Sequence, residues 1–289
     1  MPNRNDRARE DVGNVVALEH VNVRIPDQRL STIFHVTGMG LTRDPYLVTG
    51  VENMWINIGR NQFHLPTGQP QVVRGHVGLV VPDRQALLKR LAEVRSDLED
   101  TSFAVTEEDG FVEVSSPWGN RLRCFEPDPR FGPIALGIPY VEFEVPAGTA
   151  AGIARFYREI LETPGEVGED EVGPFASCWV GHDQRLVYRE TDRPLADYDG
   201  HHLQVYLADF SGPHTKLDER GLIIEESDRW QYRFKDIVDL DSGEVLFTIE
   251  HEVRSVTHPL YGRRLVNRDP GQSNRSFAPG HEDFRWQLA

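Results

Sequence analysis

Four histidines occur in short segments where apolar and polar residues alternate. His20 lies in LEHVNVRIPD, His64 in NQFHLP, His76 in RGHVGLVVPD and His202 in HHLQVYLADF. An imidazole buried among such apolar residues costs free energy unless it has a polar partner. A divalent ion can be that partner, because several imidazoles on one surface form a ligand set for Fe(II), Zn(II) and related ions.

Strands must position these histidines, and the strand pattern repeats. The segments 18–27, 74–83, 138–148 and 201–210 each have the period of a half-buried strand, and their starts lie about sixty residues apart. Each leads into a helical pattern and ends in a second strand after a turn, at 59–66, 117–128, 181–192 and 241–253. The sequence therefore predicts four βαβββ units.

Two further segments carry a family resemblance. FYREILETPG (156–165) resembles a helix ending, and SSPWGNRLRCFE (115–126) a last-strand turn, that are common in the vicinal oxygen chelate superfamily. This superfamily includes glyoxalase I and the extradiol ring-cleaving dioxygenases, and the resemblance covers roughly residues 16–254. It implies an α+β fold in which paired units form two curved mixed sheets, each enclosing a cup, with the helices on the outer faces.

The repeat also divides the chain. We expect a flexible N-terminus at 1–15, an N-terminal domain of units one and two at 16–132, and a C-terminal domain of units three and four at 133–256. The extension at 257–289 is rich in Pro, Gly, Asn and Arg but contains aromatic residues. It is therefore expected to pack on the body or on a partner subunit.

Side-chain alternation predicts which residues face each cup, since successive side chains of a strand point to opposite faces. In the first pair of units it directs His20, His64 and His76 inward, at three of the four positions where the resembled family places metal ligands. The fourth position holds Arg123, where the family usually has a carboxylate. A guanidinium cannot bind a metal, but it could clamp an anionic substrate. Alternatively, these histidines are hydrogen-bonded core residues or pocket walls.

In the second pair of units, His202 and Glu250 face inward. They resemble two of the three ligands of the extradiol dioxygenases, whose metal lies in the C-terminal pair. The third ligand there is a histidine, and the matching position here is Tyr140. Glu142 lies two residues further along the same face and could replace it, while Glu252 faces inward two residues beyond Glu250. The alternative is a solvated polar cup without a metal.

Composition narrows the class of protein. The net charge of −15 argues against a nucleic-acid partner, which requires a basic face. Apolar runs are too short to span a membrane, and the N-terminal residues lack the apolar core of a signal peptide. Two cysteines without a CxxC pair indicate a reduced, cytoplasmic protein. A monomer and a homodimer are both compatible with four units in one chain.

The resemblance implies a metal-dependent enzyme that acts on a small oxygen-rich substrate, whose two vicinal oxygens bind the ion. Because the four-unit chain is more similar to the extradiol enzymes, an extradiol-type ring-cleaving dioxygenase is the preferred function, with Fe(II) favoured over Zn, Ni or Mn. Glu250, Arg123 and Tyr140 are the expected catalytic residues. The alternatives are a lyase or isomerase of the glyoxalase type and a metal-free small-molecule-binding protein of the same fold.

Overall fold

The computed structural model describes residues 11–47 and 50–268, and the predicted units follow one another along this part of the chain. Unit one comprises β1 (Val15–Asn22), α1 (Gln28–Thr32), a π-helical turn (Ile33–Gly38), β2 (Thr42–Arg43), β3 (Asn53–Ile58) and β4 (Asn61–Pro66). Unit two comprises β5 (Gly75–Val80), α2 (Arg84–Glu93), a 3₁₀ turn (Arg95–Leu98), β6 (Ala104–Glu108), β7 (Phe111–Ser115) and β8 (Arg121–Phe125).

The second half repeats this order after a short 3₁₀ turn (Pro129–Phe131). Unit three comprises β9 (Gly137–Pro146), α3 (Ala150–Glu159), β10 (Gly165–Asp170), β11 (Gly173–Trp179) and β12 (Arg185–Thr191). Unit four comprises β13 (His202–Leu207), α4 (Ser211–Asp218), β14 (Ile223–Asp228), β15 (Gln231–Val238) and β16 (Val245–Ser255).

Local sequence explains where the first two units change from strand to helix. The side chains of Asp27 and Asp83 each lie just before a helix and accept a hydrogen bond from the backbone N–H of Leu30 and Ala86, respectively. Such caps satisfy helix N–H groups that have no partner within the helix. Each cap thus ends the preceding extended segment at a defined residue.

The strands form two eight-stranded mixed sheets, but successive units do not share a sheet. The orders are β14-β15-β16-β13-β1-β4-β3-β2 and β10-β11-β12-β9-β5-β8-β7-β6. Unit one is thus joined to unit four through β1 and β13, and unit two to unit three through β5 and β9. The α+β fold with two mixed sheets is confirmed.

The predicted pairing of unit one with two, and of three with four, was wrong. In the predicted pairing and in the observed pairing alike, the first strand of one unit lies beside the first strand of another. Both pairings bury the same apolar faces and satisfy the same backbone hydrogen-bonding groups. Alternation within a strand therefore does not select its partner. The segment limits predicted at 1–15, 16–132, 133–256 and 257–289 remain predictions.

The apolar faces of both sheets meet in one core. The ring of Phe143 on β9 lies 5.7 Å from that of Phe247 on β16, which belongs to the other sheet. Tyr157 on α3 connects the two sheets, because its hydroxyl lies 2.5 Å from the hydroxyl of Tyr188 on β12 and 2.6 Å from Nε2 of His251 on β16. Each sheet consequently turns its polar face away from this core.

Residues beyond β16 return to unit one. Arg263 Nη1 lies 2.9 Å from Asp44 Oδ2, and the amide of Asn57 donates to the carbonyl of Val266 at 2.8 Å. Residues 269–289, which include the tail aromatics Phe277, Phe284 and Trp286, lie outside the described residues, as do residues 1–10. Within the described ranges, no helix has the length and apolar character needed to cross a membrane.

Candidate metal centre

Four adjacent strands, β4, β1, β13 and β16, present polar side chains on one face of the first sheet. Their register aligns these side chains in two rows. One row is His64, Asn22, His202 and Glu250, and the other is Gln62, His20, Gln204 and Glu252. We call this group of eight residues the histidine cup.

Three imidazoles converge in the histidine cup. One ring nitrogen from each of His20, His64 and His202 lies within 4.8 Å of the others. The ring centroid of His20 is 5.6 Å from that of His64 and 5.9 Å from that of His202. The Nε2 atoms of all three rings are buried and form no hydrogen bond with any described residue. A shared cation would satisfy all three nitrogens.

The other ring nitrogen of each histidine has a polar neighbour. His20 Nδ1 lies 3.3 Å from Glu19 Oε2, and His202 Nδ1 lies 3.6 Å from Glu250 Oε1. His64 Nδ1 lies 3.3 Å from the side-chain amide of Asn22. The carboxylates beside Nδ1 of His20 and His202 leave Nε2 as the free ligand atom of those rings, and His64 reaches the same state when the Asn22 amide turns its oxygen toward Nδ1.

Two of the three rings, those of His20 and His64, are in a suitable protonation state for ligands. Burial lowers the pKa of His64 to about 2, with a smaller contribution from the neighbouring His20 and His202. Burial also holds the pKa of His20 well below its usual range. The imidazoles of His20 and His64 are therefore neutral at pH 7, which is the form that binds metals.

Carboxylates beside the histidines are paired with arginines. Arg233 on β15 bridges two of them, with Nη1 at 2.6 Å from Glu250 Oε1 and Nη2 at 2.5 Å from Glu252 Oε2. Arg254 Nη2 lies 2.6 Å from the other oxygen of Glu252. Glu252 also lies 3.5 Å from His202 Nε2. Both oxygens of Glu252 are therefore engaged by guanidinium groups.

The charge of Glu252 is maintained despite burial. Burial alone raises its pKa, but the nearby His202 and the charges of Arg254 and Arg233 outweigh that effect. The net result is a pKa well below the usual range of a glutamic acid. The cup therefore contains an ionised carboxylate next to the three imidazoles.

Sequence reasoning missed several members of this site. Trp55 on β3 stacks on His64, with ring centroids 3.8 Å apart and an interplanar angle of 11°. The sequence contains a signal for Arg233. Its neighbours Tyr232 and Phe234 in QYRFKDIV are aromatic, and both are buried in the core, so alternation places Arg233 on the polar face of the strand. Glu19 could not be found in this way, because simple alternation points its side chain away from that of His20.

The second sheet has a corresponding polar face. Arg123, Gly78, Tyr140 and Arg185 are aligned on β8, β5, β9 and β12, with His76 and Glu142 in the adjacent row. We call this group of six residues the arginine cup. It contains four residues that the sequence proposed for the site: His76 and Glu142 as ligands, and Arg123 and Tyr140 as catalytic residues.

The predicted grouping of His20, His64 and His76 in one cup was thus wrong, because His76 belongs to the other sheet. His202 and Glu250, predicted in a separate cup, join His20 and His64 instead. This grouping does not test whether these histidines and Glu250 bind a metal, so their roles as ligands stay predictions.

Side chains fill the arginine cup and contact one another. His76 Nε2 lies 3.2 Å from the hydroxyl of Tyr140, and its Nδ1 lies 3.9 Å from Glu142 Oε1. The Tyr140 ring covers Gly78, since a Cβ at Gly78 would lie only 2.3 Å from that ring. Arg123 Nε is bound to Glu113 Oε2 at 3.2 Å.

Burial shifts the titration of these groups toward their neutral forms. Burial lowers the pKa of His76 to about 3, with help from Arg123 and Arg121, and raises that of Tyr140 to about 12. Burial also raises the pKa of Glu142, although Arg189 opposes this effect. The arginine cup has the character of an internally paired polar cluster.

Known structures share this architecture. A candidate dioxygenase from Bacillus subtilis is 14% identical, with a TM-score of 0.53 over 89% of this chain and 92% of that chain. A point variant of glyoxalase I from Zea mays is 12% identical, with a TM-score of 0.57 over 82% of this chain and 92% of that chain. No protein-family model and no curated protein matches the sequence. The chain therefore has the vicinal oxygen chelate fold, as its sequence pattern predicted.

Proposed function

We propose that this protein is a metal-dependent enzyme of the vicinal oxygen chelate type, with its ion held by His20, His64 and His202. The observation that carries the proposal is the convergence of three imidazoles whose buried Nε2 atoms have no hydrogen-bond partner among the described residues. Leaving such atoms without a partner is costly, and an ion removes that cost. Imidazole ligands suit Fe(II), Zn(II), Ni(II) and related ions.

Charged side chains around the site are paired. Five carboxylates (Glu19, Asp44, Glu225, Glu250, Glu252) and three guanidinium groups (Arg233, Arg254, Arg263) form ion pairs in and around the histidine cup, an excess of two negative charges. A divalent cation would balance this excess. A small substrate with two vicinal oxygens would then bind the ion.

Within this class, an extradiol-type ring-cleaving dioxygenase with Fe(II) is our preferred assignment. Both Glu252 oxygens are engaged by arginines, so the three imidazoles form the ligand set. Three ligands leave room on a six-coordinate ion for two substrate oxygens and for dioxygen. When bound, the ion would supply Lewis acidity to the substrate oxygens and, as Fe(II), access to dioxygen.

The protein residues would hold and shield this chemistry. Arg233 fixes both Glu250 and Glu252, so that Glu250 remains beside His202 Nδ1. Trp55 stacks on His64 and limits the movement of its ring. Arg123 and Tyr140 lie on the other sheet and have no role in this proposal.

A lyase or isomerase of the glyoxalase type is the second candidate, and the position of Glu252 favours it. This carboxylate lies 3.5 Å from His202 Nε2 and could exchange Arg233 for the ion. Four protein ligands would leave two positions, enough for two substrate oxygens but not for dioxygen as well. Glu250 would then be an adjacent carboxylate available for proton transfer.

Metal analysis and oxygen uptake together test the proposal. Protein purified anaerobically should contain about one equivalent of metal, and chelated protein should recover it from Fe(II) or Zn(II). We expect the Fe(II) form to consume dioxygen with catechols and the Zn(II) form to be inactive. Metal binding without oxygen uptake would favour the lyase or isomerase. Failure to bind any metal would refute the proposal and favour the metal-free binding protein. A homodimer, which the sequence left open, stays a prediction.

A further inference from the structure

We propose that Glu19 is a positioning residue for the metal centre, because its carboxylate accepts the Nδ1–H of His20 and thereby presents Nε2 to the ion. This inference rests on the proposed metal-dependent function. It concerns a residue that strand alternation would assign to the opposite face of the sheet.

A β-bulge brings Glu19 to His20. In the pairing of β1 with β13, Leu18 is opposite Val205 and His20 is opposite Gln204, so Glu19 is one extra residue without a partner. Bulges of this kind re-aim a side chain and are frequent beside active sites. As a result, consecutive residues contact each other, with Glu19 Oε2 at 3.3 Å from His20 Nδ1.

Two other groups fix the orientation of the Glu19 carboxylate. The Tyr206 hydroxyl donates to Oε1 at 3.2 Å, and Arg254 Nη1 donates to Oε2, also at 3.2 Å. The side chain of Glu19 is only 12% exposed. Its oxygens therefore have little freedom, and the direction from Oε2 to the imidazole is set before any ion arrives.

The other two histidines show the same arrangement by different means. His202 Nδ1 faces a carboxylate on the neighbouring strand, that of Glu250, at 3.6 Å. His64 Nδ1 faces the amide of Asn22 at 3.3 Å, and a half-turn of that amide presents its oxygen to the ring. All three rings thus have a polar neighbour at Nδ1 and a buried Nε2 without a hydrogen bond to the described residues. Only His20 depends on a bulge.

The arginine cup offers an internal comparison. Gly75 precedes His76 as Glu19 precedes His20, and it has no side chain to contact the ring. The pairing of β5 with β9 is regular from Gly75 to Gly78, with no bulge beside the histidine. The bulge and a carboxylate on the residue before the histidine are therefore found together in the histidine cup, and both are missing from the arginine cup, where the carboxylate near Nδ1 of His76 comes from Glu142 on the neighbouring strand.

A carboxylate at Nδ1 has a known effect on a metal-bound histidine. It fixes the tautomer and ring orientation and increases the basicity of the ligating nitrogen. Loss of such a contact typically weakens metal affinity by about 10–100-fold. We expect a loss in this range for Glu19→Gln, which preserves the size of the side chain but removes its charge.

The test uses Co(II) as the probe in the full-length protein. Competition titration gives the Kd, and proton NMR of the Co(II) form reports hyperfine-shifted Nδ1–H signals that disappear in D₂O. Wild-type protein should show one such signal for each histidine. Glu19→Gln should weaken Co(II) binding about 10–100-fold and shift or remove one signal. Glu226→Gln, which removes a surface carboxylate 2.7 Å from His214, is the matched control and should change neither.

The outcomes separate this inference from the proposed function. If wild-type protein does not bind Co(II), the metal function fails and the inference fails with it. If wild-type protein binds Co(II) but Glu19→Gln retains the same Kd and all the exchangeable signals, only the positioning role is refuted. Should Glu19→Gln not fold, Tyr206→Phe decides, because it removes a hydrogen bond to Glu19. A shifted His20 signal supports the role, and an unchanged spectrum overturns it.

Discussion

The histidine cup and the arginine cup are formed by equivalent strands but contain opposite chemistry. Where one row has His64, Asn22, His202 and Glu250, the equivalent row of the other has Arg123, Gly78, Tyr140 and Arg185. Potential ligands are thus replaced by two cations, a phenol and a residue without a side chain. The comparison shows within one molecule that a fold does not determine the chemistry of its sites.

The number of histidines is not what distinguishes the two cups. His20 and His76 occupy equivalent places, and both rings are buried. His76 has a polar group near each ring nitrogen, whereas Nε2 of His20 has no hydrogen-bond partner in the described part of the chain. A buried polar atom without a partner is therefore the more informative signal of a binding site.

The largest expected effect separates these two histidines directly. His20→Ala should weaken metal binding by more than about 100-fold, beyond the loss of about 10–100-fold that outer contacts cause. His76→Ala should leave metal affinity within about twofold of wild type. Isothermal titration with Zn(II) measures both variants. Equal losses would mean that the ion lies elsewhere.

Arginine substitution tests the charge pairing of the two cups. Arg233→Met leaves Glu250 and Glu252 without their shared guanidinium, and we expect it to lower the free energy of unfolding of the apoprotein by about 2–3 kcal/mol. Arg123→Met removes one partly exposed pair with Glu113 and should cost less than about 1 kcal/mol. Urea denaturation measures both. A larger loss for Arg123→Met would contradict the contrast.

A steric change should affect only the arginine cup. Gly78→Ala places a methyl group against the Tyr140 ring, which should lower the free energy of unfolding by about 1–3 kcal/mol. Metal affinity should not change. Tyr140→Leu in the same chain should recover part of the loss, because the shorter side chain vacates the space above residue 78. No recovery would show that the cost has another origin.

The pH dependence of stability should be similar for the two cups. The pKa values of His64 and His76 are lowered by burial to about 2 and about 3, so these rings stay neutral in the folded state. Below pH ~6.5 only the unfolded state binds protons at these rings. Each histidine should therefore lower the free energy of unfolding by about 1.4 kcal/mol per pH unit as the pH falls toward the folded-state pKa.

Chemical denaturation of the apoprotein between pH 5 and pH 7.5 measures this slope. His64→Asn and His76→Asn should each reduce this slope by an amount that corresponds to at most one bound proton, about 1.4 kcal/mol per pH unit. A slope that neither variant changes would show that the two rings take up protons as readily in the folded protein as in the unfolded chain.

Much of the site could be predicted from local patterns. Alternation correctly turned His20, His64 and His202 to the polar face, because a regular strand has a fixed side-chain period. It failed at Glu19, because one extra residue in β1 breaks that period. It also gave no account of Trp55, whose contact with His64 depends on the pairing of β3 with β4.

The sequence by itself determined the four βαβββ units, their order and the inward face of most strands. These properties depend on neighbouring residues along the chain, through alternation, turns and helix caps. Only the tertiary structure decided that unit one is joined to unit four, and therefore that His202 rather than His76 accompanies His20 and His64. Strand partners far apart in sequence are selected by the packing of the whole core, because the backbone hydrogen bonds of β1 are satisfied equally well by either candidate strand.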